Sequence, residues 1–242
     1  MSPCIVVVPT YNECENIERM IRALLAHSLR VDVLVVDDAS PDGTGAIVQR
    51  LGREFPERVF LETRSGVRGL GRAYVHGFKW SLRRDYRYIF EMDADFSHAP
   101  EDLSRLHQAC EAGADVAIGS RYVPGGAVRN WSWPRLALSR GASIYARAIL
   151  GWRIRDATAG FICFRRKVLA AIDLEQVRFV GYAFQIEMKY VALRRGFALV
   201  EIPIVFVDRV AGESKMSFQI FNEAILGVWK IKSAAGKICH AQ

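Results

Sequence analysis

Short runs of apolar, β-branched residues alternate with amphipathic stretches along the first half of the chain. Ile5-Val6-Val7-Val8 is continuous and apolar, the pattern of a strand buried on both faces. Ile17, Met20, Ile21, Leu24 and Leu25 follow at helical spacing, behind Asn12 and Glu15 in capping-box order. The alternation continues with a strand at 33–36, a helix at 44–55, a strand at 59–61 and a helix at 70–82. A strand at 88–90, a helix at 100–112 and a strand at 116–118 complete it. This order predicts an α/β fold, with a mainly parallel sheet and helices on both faces.

The second half is less regular. Pro134 suits the first turn of a helix running to Leu150, with Gly151 as its stop. A helix over 184–195 ends at Gly196, and strand-like segments at 199–202 and 205–207 lie either side of Pro203. From Phe218 onward Phe221, Ile225, Trp229 and Ile231 form one apolar face, beside Lys230, Lys232 and Lys237. Such a tail suits either a bilayer interface or ordinary packing. No repeat or linker interrupts the chain, so a single domain over 1–217 with an amphipathic tail over 218–242 is expected.

Composition narrows the picture. The 242 residues are 51% hydrophobic and 24% charged, enough for a sizeable core. A net charge of +7 suits polyanions such as nucleotides or anionic lipid heads, and equally a solubilising surface. Charge alone is no nucleic-acid motif, so no nucleic-acid partner is expected. Cys4, Cys14, Cys110, Cys163 and Cys239 form no CxxC pair, which argues for reduced thiols and a cytoplasmic setting. No apolar stretch approaches the ~18 residues of a spanning helix, so membrane contact is expected to be peripheral.

In open parallel sheets ligands bind beyond the carboxyl ends of the strands. Those ends carry Pro9-Thr10-Tyr11-Asn12-Glu13, Asp37-Asp38, Asp93-Ala94-Asp95 and Gly119-Ser120-Arg121-Tyr122. Asp42 in the second loop reads as an ordinary loop cap. Asp93 and Asp95 are too close to ionise together without a compensating cation or proton. A hard divalent ion, Mg²⁺ or Mn²⁺, fits two carboxylates plus substrate phosphates, provided the loop turns so that both reach it. Gly69-Leu70-Gly71 lacks the third glycine of a dinucleotide fingerprint, because Tyr74 stands there. It reads instead as a glycine-bounded helix start facing a ribose or phosphate. Arg135 and Ser139, four apart, share a helix face and can donate to a phosphate, though spacing alone equally fits solvated surface. Arg209 and Lys215 flank Gly212 in a loop that reads as a lid or as a plain exposed turn.

Taken together, these motifs resemble the family 2 glycosyltransferases, in the branch of dolichyl- or polyprenyl-phosphate mannose synthases. The resemblance runs in register through PTYNE (9–13), DDASPDGT (37–44), GLGRAYVHG (69–77), MDADFSHAP (92–100) and GSRY (119–122). It continues through RDATAGF (155–161), GYAFQIE (181–187), EIPIVF (201–206) and GESKMS (212–217). It implies a GT-A fold and an inverting transfer of mannose from GDP-mannose to dolichyl or polyprenyl monophosphate, with UDP-glucose-dependent glucosyl transfer as the alternative. By motif, Pro9, Tyr11, Glu13, Val36 and Asp38 hold the nucleotide, together with Ala94. Asp93 and Asp95 flank the metal and diphosphate, and Ser97 stands where some relatives place a metal-binding Gln of longer reach. Arg121 lies near donor and acceptor, Arg135 and Ser139 receive the lipid phosphate, and Arg209 and Lys215 clamp the diphosphate. Ile162 occupies a position that is often basic in relatives. Many relatives carry C-terminal transmembrane helices; this sequence shows none, which implies a peripheral enzyme on the cytosolic membrane face, with room for a membrane-anchoring subunit.

The acceptor phosphate is largely ionised at neutral pH, its second pKa being about 6. Positioning and charge compensation therefore matter more than a strong base, and His76 and His98 read as structural.

Overall fold

A computed structural model describes residues 2–179, 181–208 and 227–233. Arg209, Lys215 and most of the predicted tail, including Phe218, Phe221, Ile225 and Lys237, lie outside the described residues.

The predicted alternation is present: β1 (Cys4–Thr10), α1 (Ile17–Ala26), β2 (Val31–Asp37), α2 (Thr44–Glu54), β3 (Val59–Thr63), α3 (Leu70–Leu82) and β4 (Tyr88–Glu91). After a 3-10 turn at Pro100–Asp102 come α4 (Leu103–Glu111), β5 (Val116–Ser120), β6 (Ala127–Arg129) and α5 (Trp133–Leu150). The remainder is β7 (Ile162–Arg165), α6 (Arg166–Ala171), α7 (Tyr182–Arg194), β8 (Leu199–Pro203) and β9 (Val205–Val207). Seven strands form one sheet in the order β3-β2-β1-β4-β7-β5-β8, and β6 pairs with β9 in a small second sheet.

Strand alternation sends neighbouring residues to opposite faces. Ile5 and Val7 of β1 join a core with Tyr74 and Phe78 of α3 and Phe184 of α7, while Val6 and Val8 join Ile17 and Ile21 of α1 and Leu106 of α4. The sheet is thus covered on both sides, as the continuous apolar strands require.

Two glycines of α3 bring that helix close to its neighbours. A Cβ on Gly77 would lie 2.4 Å from Cγ1 of Val7, and one on Gly71 would lie 2.5 Å from the Phe179 carbonyl oxygen. Val7 is a stiff β-branched residue in a strand paired on both sides, so it cannot swing away. Gly77→Ala is therefore expected to cost a net 1–2 kcal/mol or so, overpacking outweighing the gain of about 1 kcal/mol in helix preference. Urea unfolding with an unchanged m-value checks this.

Three predicted details change. Asn12 and Glu15 form no capping box: α1 begins five residues after Asn12, its N-cap Asn16 makes no side-chain cap bond, and Asn12 sits at φ +57°. The Asn12 N–H donates instead to Ser40 Oγ at 3.0 Å, so Asn12 ties two loops together rather than starting a helix. β6, β7 and α6 were not predicted. β7 lies antiparallel between β4 and β5, and its signal was the apolar run Phe161-Ile162-Cys163-Phe164.

The predicted tail face also divides. In the helical segment 227–233, Val228 and Ile231 are buried in the core while Trp229 is 54% exposed. Trp229 and Ile231 therefore do not share one apolar face. No helix among the described residues is long and apolar enough to cross a membrane.

Candidate active site

The carboxyl ends of β1 and β2 are knitted together by side-chain caps. Asp37 accepts from Thr10 Oγ1 at 2.8 Å and from the Ser40 N–H at 2.9 Å. Asp42 accepts from the Thr44 N–H and the Cys14 N–H, both at 3.0 Å. Burial pushes the Asp42 carboxyl up, but the Thr44 hydroxyl and these N–H groups pull it down to about 2. Asp42 is the loop cap its sequence context predicts.

With Asp37 absorbed in this lattice, Asp38, just past the end of β2 and only 9% exposed, makes its own contacts. It pairs with Arg64 and accepts the Gly69 N–H at 3.1 Å. Gly69 is the N-cap of α3, the glycine-bounded helix start that the sequence predicts. Gly69 serves Asp38, and Gly71 faces protein, against Phe179 and Phe184. Tyr11 lies under the Arg68 guanidinium, 4.1 Å from ring centroid to Cζ. Pro9 is partly buried at the end of β1. The Glu13 carboxylate accepts from the Asn16 side chain at 3.2 Å. Val36 is wholly buried in the core, beside the Cβ direction of Gly77, and offers a ligand no side chain.

Beyond β4 the chain turns sharply. Phe96 adopts φ +58°, and the Ser97 N–H folds back to Asp95 Oδ1 at 3.0 Å. The bend follows Asp95 directly and fixes that carboxylate against the backbone of its own loop. Ala94, between Asp93 and Asp95, is buried. Tyr74 donates its hydroxyl to Asp93 Oδ1 at 3.3 Å. Burial, then the charges of Asp93, Glu91 and Asp95, raise that hydroxyl well above its ordinary value, so it stays a proton donor. Tyr74, the residue that breaks the dinucleotide fingerprint, thus contributes to the carboxylate site.

The Ser97 hydroxyl is buried without a partner among the described residues. With Asp93 and Asp95 it makes an all-oxygen donor set that fits Mg²⁺ or Mn²⁺. No three His, Cys, Asp or Glu side chains gather as metal ligands among the described residues. A cation here would draw its remaining ligands from substrate oxygens.

Arg121, just past β5, is only 8% exposed. Its Nε and Nη2 donate to the two oxygens of Asp156 at 2.7 and 2.6 Å, its backbone N–H donates to Asp156 Oδ2 at 2.9 Å, and Nη2 also reaches Thr158 Oγ1 at 2.8 Å. The rings of Tyr122, Trp131 and Phe206 lie within 5.5 Å of its Cζ. Arg135, on α5, shares the Trp131 ring at 4.2 Å and donates to both oxygens of Asp208 at 2.9–3.0 Å. Ser139 accepts the Tyr122 hydroxyl at 2.7 Å. Arg121, Arg135 and Ser139 are therefore joined through Tyr122 and Trp131 into one constellation. Neither aromatic was predicted as part of the site.

His98 is packed between Phe161 and Phe206, and burial pushes its pKa down to about 4. His76 pairs with Glu62 at 2.8 Å near the surface. Ile162 is buried within β7.

Carboxylates and arginines gathered beyond the strands of a mostly parallel sheet, in a single α/β domain, fit a glycosyltransferase of GT-A fold. The chain belongs to glycosyl transferase family 2, whose profile matches residues 5–173. It is a homologue of the polyprenyl- and dolichyl-phosphate mannose synthases. A polyprenol monophosphomannose synthase of Mycolicibacterium smegmatis is 51% identical over 230 residues, covering 94% of this chain and 87% of its own. An undecaprenyl-phosphate mannosyltransferase of Micrococcus luteus is 45% identical, covering 95% and 93%. A dolichol-phosphate mannosyltransferase of Pyrococcus furiosus is 34% identical, covering 96% of this chain and 64% of its own. Among solved structures, glucosyl-3-phosphoglycerate synthase from Mycobacterium tuberculosis, in complex with Mn²⁺, UDP and glucosyl-3-phosphoglycerate, superposes with a TM-score of 0.69. It is 16% identical and covers 95% of this chain and 80% of that one, so the likeness is one of fold.

Proposed function

We propose that the protein transfers mannose from GDP-mannose to a polyprenyl or dolichyl monophosphate, with Mg²⁺ or Mn²⁺ held at Asp93 and Asp95. The observation that carries this reading is the shared aromatic framework of Arg121, Arg135 and Ser139 beside the Asp95 turn. In this reading the framework offers cationic and hydroxyl donors to an acceptor phosphate and a donor diphosphate. The names of the relatives at 51% and 45% identity support a lipid-phosphate acceptor and mannose as the sugar.

When bound, the cation neutralises charge developing on the departing diphosphate. The chain's own residues do the rest. Asp38, Tyr11, Pro9 and Glu13 line the nucleotide side. Arg121 and Arg135 offset the repulsion between the two phosphate groups, and Ser139 donates to the acceptor. Arg209 and Lys215 complete the clamp in this reading. The exposed Trp133 and Ile144 on α5, 74% and 64% accessible, give an apolar flank suited to a lipid tail and to peripheral docking on a membrane.

Purified protein given radiolabelled GDP-mannose and undecaprenyl phosphate in micelles should form lipid-linked mannose in the presence of Mg²⁺ or Mn²⁺, and none with chelator. UDP-glucose should be a poor donor. A preference for UDP-glucose, or full turnover in chelator, would overturn the reading.

Arg135→Ala should raise the apparent KM for undecaprenyl phosphate about 10- to 100-fold. A hydrogen bond to a charged group is worth about 1.5–3 kcal/mol, and each 1.4 kcal/mol is tenfold in affinity. GDP affinity should be unchanged.

A further inference from the structure

Lys189 is an anomaly of α7: a lysine with no exposed surface in a helix whose neighbours Phe184 and Met188 are core residues. Burying an ammonium is costly unless it is paired and hydrogen-bonded. Burial pushes its pKa down to about 8, and the nearby carboxylates Asp156 and Glu91 oppose the shift. A methionine would fill similar volume without that cost.

The ammonium has a specific task. Nζ donates to the carbonyl oxygens of Ala157 and Ala159 at 2.8 and 2.7 Å. Asp156, just before this pair, and Thr158, between them, hold Arg121, Asp156 by three contacts and Thr158 by one. The same loop is gripped at its start by Glu201 of β8, which accepts the Arg155 and Asp156 N–H groups at 2.8 and 2.9 Å. Glu201 also accepts the Ser120 hydroxyl at 2.7 Å, next to Arg121. Amides held from one side and carbonyls from the other leave the loop little freedom to turn.

We infer that Lys189 is a positioning residue for Arg121: from α7 it fixes the carbonyls of Ala157 and Ala159, and thereby the angle at which Asp156 and Thr158 present the guanidinium to the phosphates. The inference rests on the proposed role of Arg121 in transfer. Lys189 touches no substrate. Its effect is relayed through a loop whose misplacement by about 1 Å can cost on the order of 100-fold in rate.

The test compares Lys189→Met, which removes the donor, with Lys189→Gln, which keeps one, using GDP-mannose and undecaprenyl phosphate. Turnover at saturating substrates should fall roughly 10- to 100-fold in Lys189→Met and less in Lys189→Gln. The dissociation constant for GDP should stay near wild type while turnover falls, a split that a purely structural lysine would not give. The melting temperature should drop by a few degrees in Lys189→Met, where two buried carbonyls lose their donor, and less in Lys189→Gln. Thr158→Val should lower turnover too, and its effect should be less than multiplicative with Lys189→Met, because both act on one guanidinium. If Lys189→Met does not fold, Lys189→Gln and Thr158→Val carry the same comparison.

Unchanged turnover in folded Lys189 variants, or a parallel loss of GDP affinity, would overturn the inference. Arg121→Lys separates the two levels. If it is inactive while the Lys189 variants are fully active, the inference about Lys189 alone fails. If Arg121→Lys is fully active, the role of Arg121 fails and takes the inference with it.

Discussion

Replacing Asp95 by Ala is expected to lower sugar transfer by at least about 100-fold, the scale on which a preorganised electrostatic stabiliser of the transition state acts. Asp95 shapes its own loop by accepting the Ser97 N–H, and it lies beside the buried, unpartnered Ser97 hydroxyl. Removing it takes away both a carboxylate and the fold-back that follows Phe96. Asp95→Asn separates these roles, because an amide oxygen can still accept the Ser97 N–H while contributing no charge. Both variants should lose turnover, with Asp95→Asn closer to wild type in melting temperature. Titration with Mn²⁺ in the presence of GDP should show weakened cation binding in both. Wild-type turnover in Asp95→Asn would mean that the charge at this position does not matter, and the cation reading of the turn would be lost.

The fold was legible in the sequence wherever it depends on continuous apolar strands and helical periodicity. Each strand from β1 to β5 announced itself through a short apolar run, and each intervening helix through spacing that survives any detail of packing. The antiparallel insertion of β7 was not legible, because a short apolar run between loops says nothing of its direction or neighbours. The candidate residues Asp38, Asp93, Asp95 and Arg121 stand out in the sequence because they lie within a few positions of the carboxyl ends of strands. Their supports do not. Lys189 and Glu201 stand 68 and 80 residues beyond Arg121 on two separate elements, and only the fold brings them to the loop that carries Asp156. Tyr74 was noticed as the residue that spoils a glycine motif, while its hydroxyl bond to Asp93 needed the packing of α3 against β4 to be seen. Trp131 reads as an ordinary loop aromatic until two arginines are found on its ring.

Asp156→Ala should be the most damaging substitution to stability at the site. Asp156 has no exposed surface, and Arg121 is almost as deeply placed. Truncating one partner of a buried ion pair leaves the other charge uncompensated, at a cost of about 3–5 kcal/mol. For a chain of this size each kcal/mol shifts the melting temperature by roughly 2–4 °C, so a fall of roughly 6–20 °C is expected. Glu54→Ala, which breaks the exposed pair with Arg22, should leave the melting temperature close to wild type and serves as the control. Acid sharpens the contrast. Burial pushes the Asp156 carboxyl up, but Arg121 more than offsets it, and the folded pKa lies below the ordinary 3.8. A carboxyl depressed in this way contributes stability that is fully present above its unfolded pKa and is lost only as pH falls through the lower folded value. The gap in unfolding free energy between wild type and Asp156→Asn should therefore hold constant from neutral pH down to about pH 4, then narrow as the medium is acidified further. A gap that narrows already between pH 7 and pH 5, or an Asp156→Ala protein that melts with wild type, would show that Arg121 does not depend on this carboxylate for its charge balance.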